Sequence, residues 1–221
     1  MSDKLFSRAD IDALPQRFRA AMINSISGFK SANLIGTADE AGNTNLSIVS
    51  SVVHLGANPP LLGMVMRPPV VPRHTYENIL KSGVYTINHV HADIVQQAHQ
   101  TSASYDKTQS EFEEVGLTAA YRDGFKAPHV AEANIRMGMR FVREIEITEN
   151  NTRFIIGEIE WLELPEAQLA DDGYVNIEGA GTVAVSALDG YHSTQHLGRM
   201  SYAKPDTTPE RLTEVLRGFA Q

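Results

Sequence analysis

The chain has 221 residues, enough to bury a sizeable core in one domain without help from a metal or a disulfide. It contains no cysteine, which removes disulfides, thiolate metal ligands and a cysteine nucleophile from consideration. A net charge of −8 argues against nonspecific nucleic-acid binding. No apolar run approaches the roughly 20 residues of a membrane span, and residues 1–14 lack the apolar stretch of a secretory signal, so the expectation is a soluble, cytoplasmic protein.

Ser7 to Ser25 predicts a helical N-terminal extension over residues 1–25. Ser7 is its cap, and Pro15 either interrupts it or begins a second piece. Leu14, Phe18, Met22 and Ile23 share one helical face, and Gly28 ends the run. From Ser31 the period changes. SANLIGTAD and NLSIVSSVVHL are two β-rich runs joined across Glu40-Ala41-Gly42-Asn43, which predicts a hairpin. In the second run Leu46, Ile48, Ser50 and Val52 alternate with Ser47, Val49, Ser51 and Val53. Asn58-Pro59-Pro60 then turns the chain into a third strand, LLGMVMR, that ends at Arg67.

The stretch RPPVVPRHTYENILKSG, Arg67 to Gly83, is the most informative. Pro68, Pro69 and Pro72 fix φ and remove donors, which excludes strand or helix interior. A short helix follows at once, with Thr75 as cap, Glu77 in the first turn, Lys81 in the last and Gly83 at the end. Arg67 and Arg73 bracket the loop beside the helix N-terminus. That setting suits a bound phosphate and equally suits a surface turn with solvated arginines.

Val84 to Val90 predicts a fourth strand, and Asp93 to Thr101 a helix capped by Asp93. Residues 102–133 are polar and irregular, with one short helix at SEFEEVG; their length suggests a lid, a partner contact or an insertion. Met137–Thr148 and Arg153–Leu164 predict a second hairpin across Glu149-Asn150-Asn151. Ala180 to Leu188 adds a further strand. A C-terminal helix over 207–221 starts with Pro209 at its first position. Strands joined mostly by turns favour a single antiparallel barrel over a doubly wound sheet.

The order of these pieces resembles the flavin reductase-like proteins of the FMN-binding split-barrel fold. NSISGFKSANLIGT, SSVVHLGANPPLLGMVMRPP, RHTYENI, YTINHV and LGRMSYAKP carry the resemblance, which spans residues 22–204. It implies a mainly β split barrel with peripheral helices and a homodimer with FMN at the interface. Asn45, Ser47, Ser50 and Ser51 would lie beside the isoalloxazine and ribityl chain. Arg67, Arg73, His74 and Thr75 would hold the 5′-phosphate. Tyr191, His192, Arg199 and Tyr202 either approach the flavin or nicotinamide, or belong to a tail that completes the barrel.

The implied activity is an NAD(P)H-dependent flavin reductase: NADH or NADPH gives hydride to the flavin, which passes electrons to free flavin, oxygen or another acceptor. The alternatives are an FMN-dependent oxidoreductase acting directly on a small organic substrate, and a flavin- or haem-binding protein without turnover.

Other patterns compete with this. His89-x-His91, His99 and His192-x3-His196 invite a metal, since alternate strand residues share a face. There is no H-E-x-x-H motif, and no carboxylate partner is singled out, so no metal is expected. No G-x-G-x-x-G sits at a strand-to-helix turn, so any NAD(P)H would bind transiently over the flavin. Neither G-x-S-x-G nor a serine–histidine pairing argues for a hydrolase. Trp161 is expected in the core.

Overall fold

The computed structural model describes residues 3–212. Two short helices come first, α1 (Arg8–Ala13) and α2 (Gln16–Ile26). Ser7 and Asp10 form a reciprocal capping box at the start of α1. Pro15 lies at the N-cap of α2, so the proline divides the predicted helix in two. The strands β1 (Lys30–Ser31), β2 (Asn33–Ala38), β3 (Thr44–Val49), β4 (Val53–Ala57) and β5 (Pro60–Met66) follow. Next come α3 (His74–Ser82), β6 (Val84–His89), a 3₁₀ turn at Ala92–Ile94, α4 (Val95–Gln100), α5 (Glu111–Val115), β7 (Ala119–Ala120) and β8 (His129–Val130). The long hairpin of β9 (Arg136–Ile147) and β10 (Thr152–Glu163) leads to β11 (Ala184–Ser186) and β12 (Gly190–His192).

Seven strands form one antiparallel sheet in the order β3-β2-β6-β9-β10-β5-β4. Its two edge strands, β3 and β4, are separated in sequence only by Ser50, Ser51 and Val52. Laid flat, the edges would stand about 29 Å apart, six spacings of about 4.8 Å. The connection reaches at most about 14 Å. The sheet therefore has to curl into a barrel, split between β3 and β4. Ser51 stitches the seam: its Oγ accepts from Val65 N at 3.0 Å and donates to Val65 O at 3.1 Å. The continuous strand predicted over NLSIVSSVVHL is thus two strands with a crossing between them.

Alternation on β2 sends Ile35 inward and Leu34 outward, and all six residues of the strand are buried. The inward cluster holds Ile35, Met64, Tyr85, Ile87, Met137, Met139 and Ile155, with Ile79 of α3. The outward cluster sets Leu34, Leu46 and Val90 against Ala98, Phe112, Val130 and Val185. Residues 102–133, expected as an irregular insertion or lid, supply much of that second layer. They carry α5, β7 and β8 and bury Phe112, Leu117, Ala127, Val130 and Ala133. Buried Asn88 holds them down. Its Oδ1 accepts from Val130 N at 3.0 Å, while its Nδ2 donates to Leu34 O at 3.0 Å and to Thr86 Oγ1 at 2.9 Å. Gly36 allows the approach, since a Cβ there would run into the Pro128 carbonyl and Thr86 Oγ1.

Three expectations need correction. Trp161 is half-buried on the outer face of β10, edge-on to Phe125 and His129 at 5.6 and 5.7 Å, with Arg122 5.4 Å from its ring. Asp93 does not cap a helix; it lies within the 3₁₀ turn, whose N-cap is His91. Pro209 does not begin a helix: Arg211 bridges Met200, and Ser201 N donates to Glu210 O at 2.8 Å. The remainder of the predicted C-terminal helix lies outside the described residues. Among the described residues no helix is long and apolar enough to cross a membrane.

Candidate functional site

Strand alternation puts Asn45 and Ser47 on the same face of β3, toward α3. Asn45 Nδ2 donates to Thr75 Oγ1 at 2.8 Å, and Ser47 Oγ lies 2.8 Å from the same oxygen. Asn45 and Thr75 are buried. The Thr75 hydroxyl is therefore turned into the barrel wall and cannot serve as the predicted cap. Arg73 occupies the N-cap position instead, and Glu77 Oε1 reaches back to accept from Arg73 N at 3.2 Å. No side chain of the N-cap residue bonds the first turn of α3. Its leading N–H groups, which have no intrahelical acceptor, remain donors at the positive end of the helix. At the far end Gly83 closes the helix at φ 72°, with Lys81 in the last turn.

The proline loop brings Arg67 and Arg73 to this helix start. Arg67 is exposed; Arg73 is half-buried, with Nε 3.5 Å from Pro68 O, a weak hold on the guanidinium. A hollow of about 350 Å³ lies alongside, lined by Pro69, Val70, Val71, Pro72, Arg73, Tyr76 and Glu77. Tyr76 OH donates to Glu144 Oε2 at 2.7 Å. Burial, then this carboxylate, raises the phenol's pKa, so the ring stays a neutral wall. His74 begins α3 and acts electrostatically on Glu111, whose carboxylate is buried beside β3.

The structure thus gathers Asn45, Ser47, Arg73, His74 and Thr75 at one corner, with Arg67 at the end of β5. Ser50 lies in the seam crossing, half-buried, and Ser51 is committed to Val65. The C-terminal residues are tied to other elements. Tyr191 OH lies 3.0 Å from His99 Nδ1, and His192 Nε2 lies 2.8 Å from Ser186 Oγ, both on the small β1-β11-β12 sheet. A serine–histidine pair therefore exists after all, hidden by hairpin pairing, and it ties β11 to β12. Arg199 donates to both Asp172 oxygens at 3.2 and 2.6 Å and lies 4.2 Å from the Tyr174 ring. That guanidinium holds the Asp172 carboxyl below its usual range. Tyr202 is exposed.

The histidine pattern dissolves into separate bonds. His89 Nδ1 lies 3.1 Å from Thr182 Oγ1, and His91 Nε2 lies 2.9 Å from Glu132 O. Among the described residues no group of three or more histidines or carboxylates is placed to hold a metal. Glu111 is the residue that sequence reasoning missed. Its only local signal was an acidic residue after Ser110 at the head of EFEEV.

The family model for the flavin reductase like domain matches residues 26–184, most of the chain. The chain belongs to the flavin reductase-like family. A split-barrel structure from Shewanella frigidimarina NCIMB 400, provisionally assigned as a flavin reductase, is 52% identical; it covers 91% of this chain and 100% of its own, with a TM-score of 0.88. Nitrilotriacetate monooxygenase component B from Bacillus cereus matches at 21% identity over 90% of this chain and 100% of its own, TM-score 0.79. The flavoredoxin of Desulfovibrio vulgaris (Miyazaki F) matches at 22% over 94% and 98%, TM-score 0.68. The last two share the fold. Family membership implies flavin binding. The donor set at the β3–α3 corner fits the phosphate end of such a ligand: N–H groups of an uncapped helix start, a weakly held guanidinium, and a second arginine at the loop entrance.

Proposed function

We propose that the protein binds FMN at the β3–α3 corner and acts as an NAD(P)H-dependent flavin reductase, as a cytoplasmic homodimer. The observation that carries this reading is the start of α3, free of a side-chain cap, flanked by Arg67 and Arg73 and bonded through Thr75 to β3. Bound FMN supplies the redox chemistry, taking hydride from NADH or NADPH.

The chain's own residues bind and orient. The first N–H groups of α3 and the Arg73 guanidinium take the phosphate, with Arg73 giving up its long contact to Pro68 O. Glu77 opposes the phosphate charge but is already turned onto Arg73 N. The Asn45–Thr75–Ser47 bonds fix the distance from the α3 start to β3, and Ser50 of the β3–β4 crossing would be among the residues that hold the rest of the cofactor. Hydride transfer needs close stacking and no protein nucleophile, which accounts for a site without an acid–base dyad. Free flavin, oxygen or another acceptor takes the electrons onward. The homodimer is supported by apolar side chains left open to solvent, among them Phe18, Ile26, Phe29 and Met200.

Replacing Arg73 with alanine is expected to weaken FMN binding by about 1.5–3 kcal/mol, the scale of a charged hydrogen bond. Fluorescence titration of FMN reads this directly. Unchanged affinity would remove Arg73 from the site.

A further inference from the structure

Strand β3 is an edge of the large sheet, so alternate N–H groups along it point away from β2 with no strand to receive them. Leu46 is one of these, and it is fully buried. Its N–H does not go to water; it donates to Glu111 Oε2 at 2.9 Å. Glu111, only 7% exposed, lies 65 residues further along the chain at the head of α5. One position before it, Ser110 Oγ lies 2.5 Å from Thr44 Oγ1. Phe112, one position after, is buried in the same cluster as Leu46. Three consecutive residues, the α5 cap Ser110 with Glu111 and Phe112, thus hold β3 around two of its residues, Thr44 and Leu46.

The clamp and the cofactor corner meet on the same backbone. Asn45 and Ser47, the two residues bonded to Thr75, flank Leu46. Thr75 holds the strand from its face, through the Asn45 and Ser47 side chains, and Glu111 holds it from its open edge, through the Leu46 N–H. We propose that Glu111 is a positioning residue for the flavin site: its carboxylate, acting through Leu46 N–H, fixes the stretch of β3 that faces the start of α3. The proposal deepens the FMN reading and rests on it for the ligand's identity. A carboxylate suits the role because it accepts in two directions. Besides Leu46 N it accepts from its own backbone N–H, and both bonds offset the desolvation of the buried charge. His74 at the first turn of α3 adds a favourable field from the other side.

The test compares Glu111→Gln with Glu111→Ala in the full chain. The amide oxygen of glutamine still accepts from Leu46 N–H, whereas alanine leaves a buried donor unpaired. Two readouts are needed: FMN affinity well below the melting temperature of each apo protein, and amide hydrogen exchange of residues 44–49 without FMN. Glu111→Ala is expected to speed exchange over that strand and weaken FMN binding about tenfold or more. Glu111→Gln is expected to stay within about threefold of the parent in affinity, with protected amides. If both variants bind FMN like the parent, or if 44–49 stays protected in Glu111→Ala, the positioning role is wrong. A parent protein that binds no FMN would defeat the flavin reading instead, and exchange would still decide whether Glu111 holds β3.

Discussion

Burial keeps the His89 imidazole neutral, pushing its pKa down to about 4, and its Nδ1 is taken up at Thr182 Oγ1. In the unfolded chain the same ring titrates near its ordinary value of about 6.5. Between those values the unfolded state binds a proton that the folded state refuses. Stability from His89 is therefore complete above about pH 6.5 and is lost as pH falls toward 4, by up to about 3 kcal/mol. His129, lowered by burial and by Arg136, acts in the same direction. Glu111, raised by burial, acts oppositely and favours the fold as pH falls. Urea unfolding of the parent and of His89→Gln at pH 7.5, 6 and 5 separates these contributions. The parent should lose stability more steeply than the variant, and equal slopes would show that His89 titrates normally in the fold.

Elements whose cause lies in neighbouring residues were legible in the sequence; those whose cause lies far along the chain were not. The β2–β3 and β9–β10 hairpins, the proline loop and the left-handed Gly83 depend on residues within a turn of one another. The break after β3 does not. Ser50, Ser51 and Val52 continue the same alternation, and the crossing is fixed by Ser51 meeting Val65. Thr75 looked like a cap because helix starts favour threonine, yet its hydroxyl belongs to Asn45 and Ser47, some 30 residues earlier. The supposed lid was polar in sequence because its few apolar residues are scattered. Phe112, Leu117, Ala127, Val130 and Ala133 pack against the barrel, with Asn88 and Glu111 holding the segment to β6 and β3. At the candidate site the cationic half, Arg67 and Arg73 beside a helix start, was readable as a setting that suits a phosphate. The Glu111 clamp was not, since nothing near it in sequence hints at Leu46. The Arg199–Asp172 pair was hidden for the same reason, its partners lying 27 residues apart.

At the scale of the whole molecule, a barrel closed by a three-residue crossing leaves its seam edges and N-terminal helices facing outward. Helix α2 buries none of its residues, and Phe18 and Ile26 are 55% and 72% exposed. A second copy covering that face should give a dimer in sedimentation velocity. Phe18→Glu combined with Ile26→Glu should shift it toward monomer, because each buried charge would go unpaired. A monomeric parent at all concentrations would remove the dimer from the proposal. The flavin claim itself is tested most directly by spectroscopy: load the purified protein with FMN, remove the excess, record the visible spectrum, and add NADH or NADPH without oxygen. Flavin absorption that stays with the protein and bleaches faster than free FMN is the expected result. A colourless protein that oxidises neither nicotinamide above the free-FMN rate would contradict it.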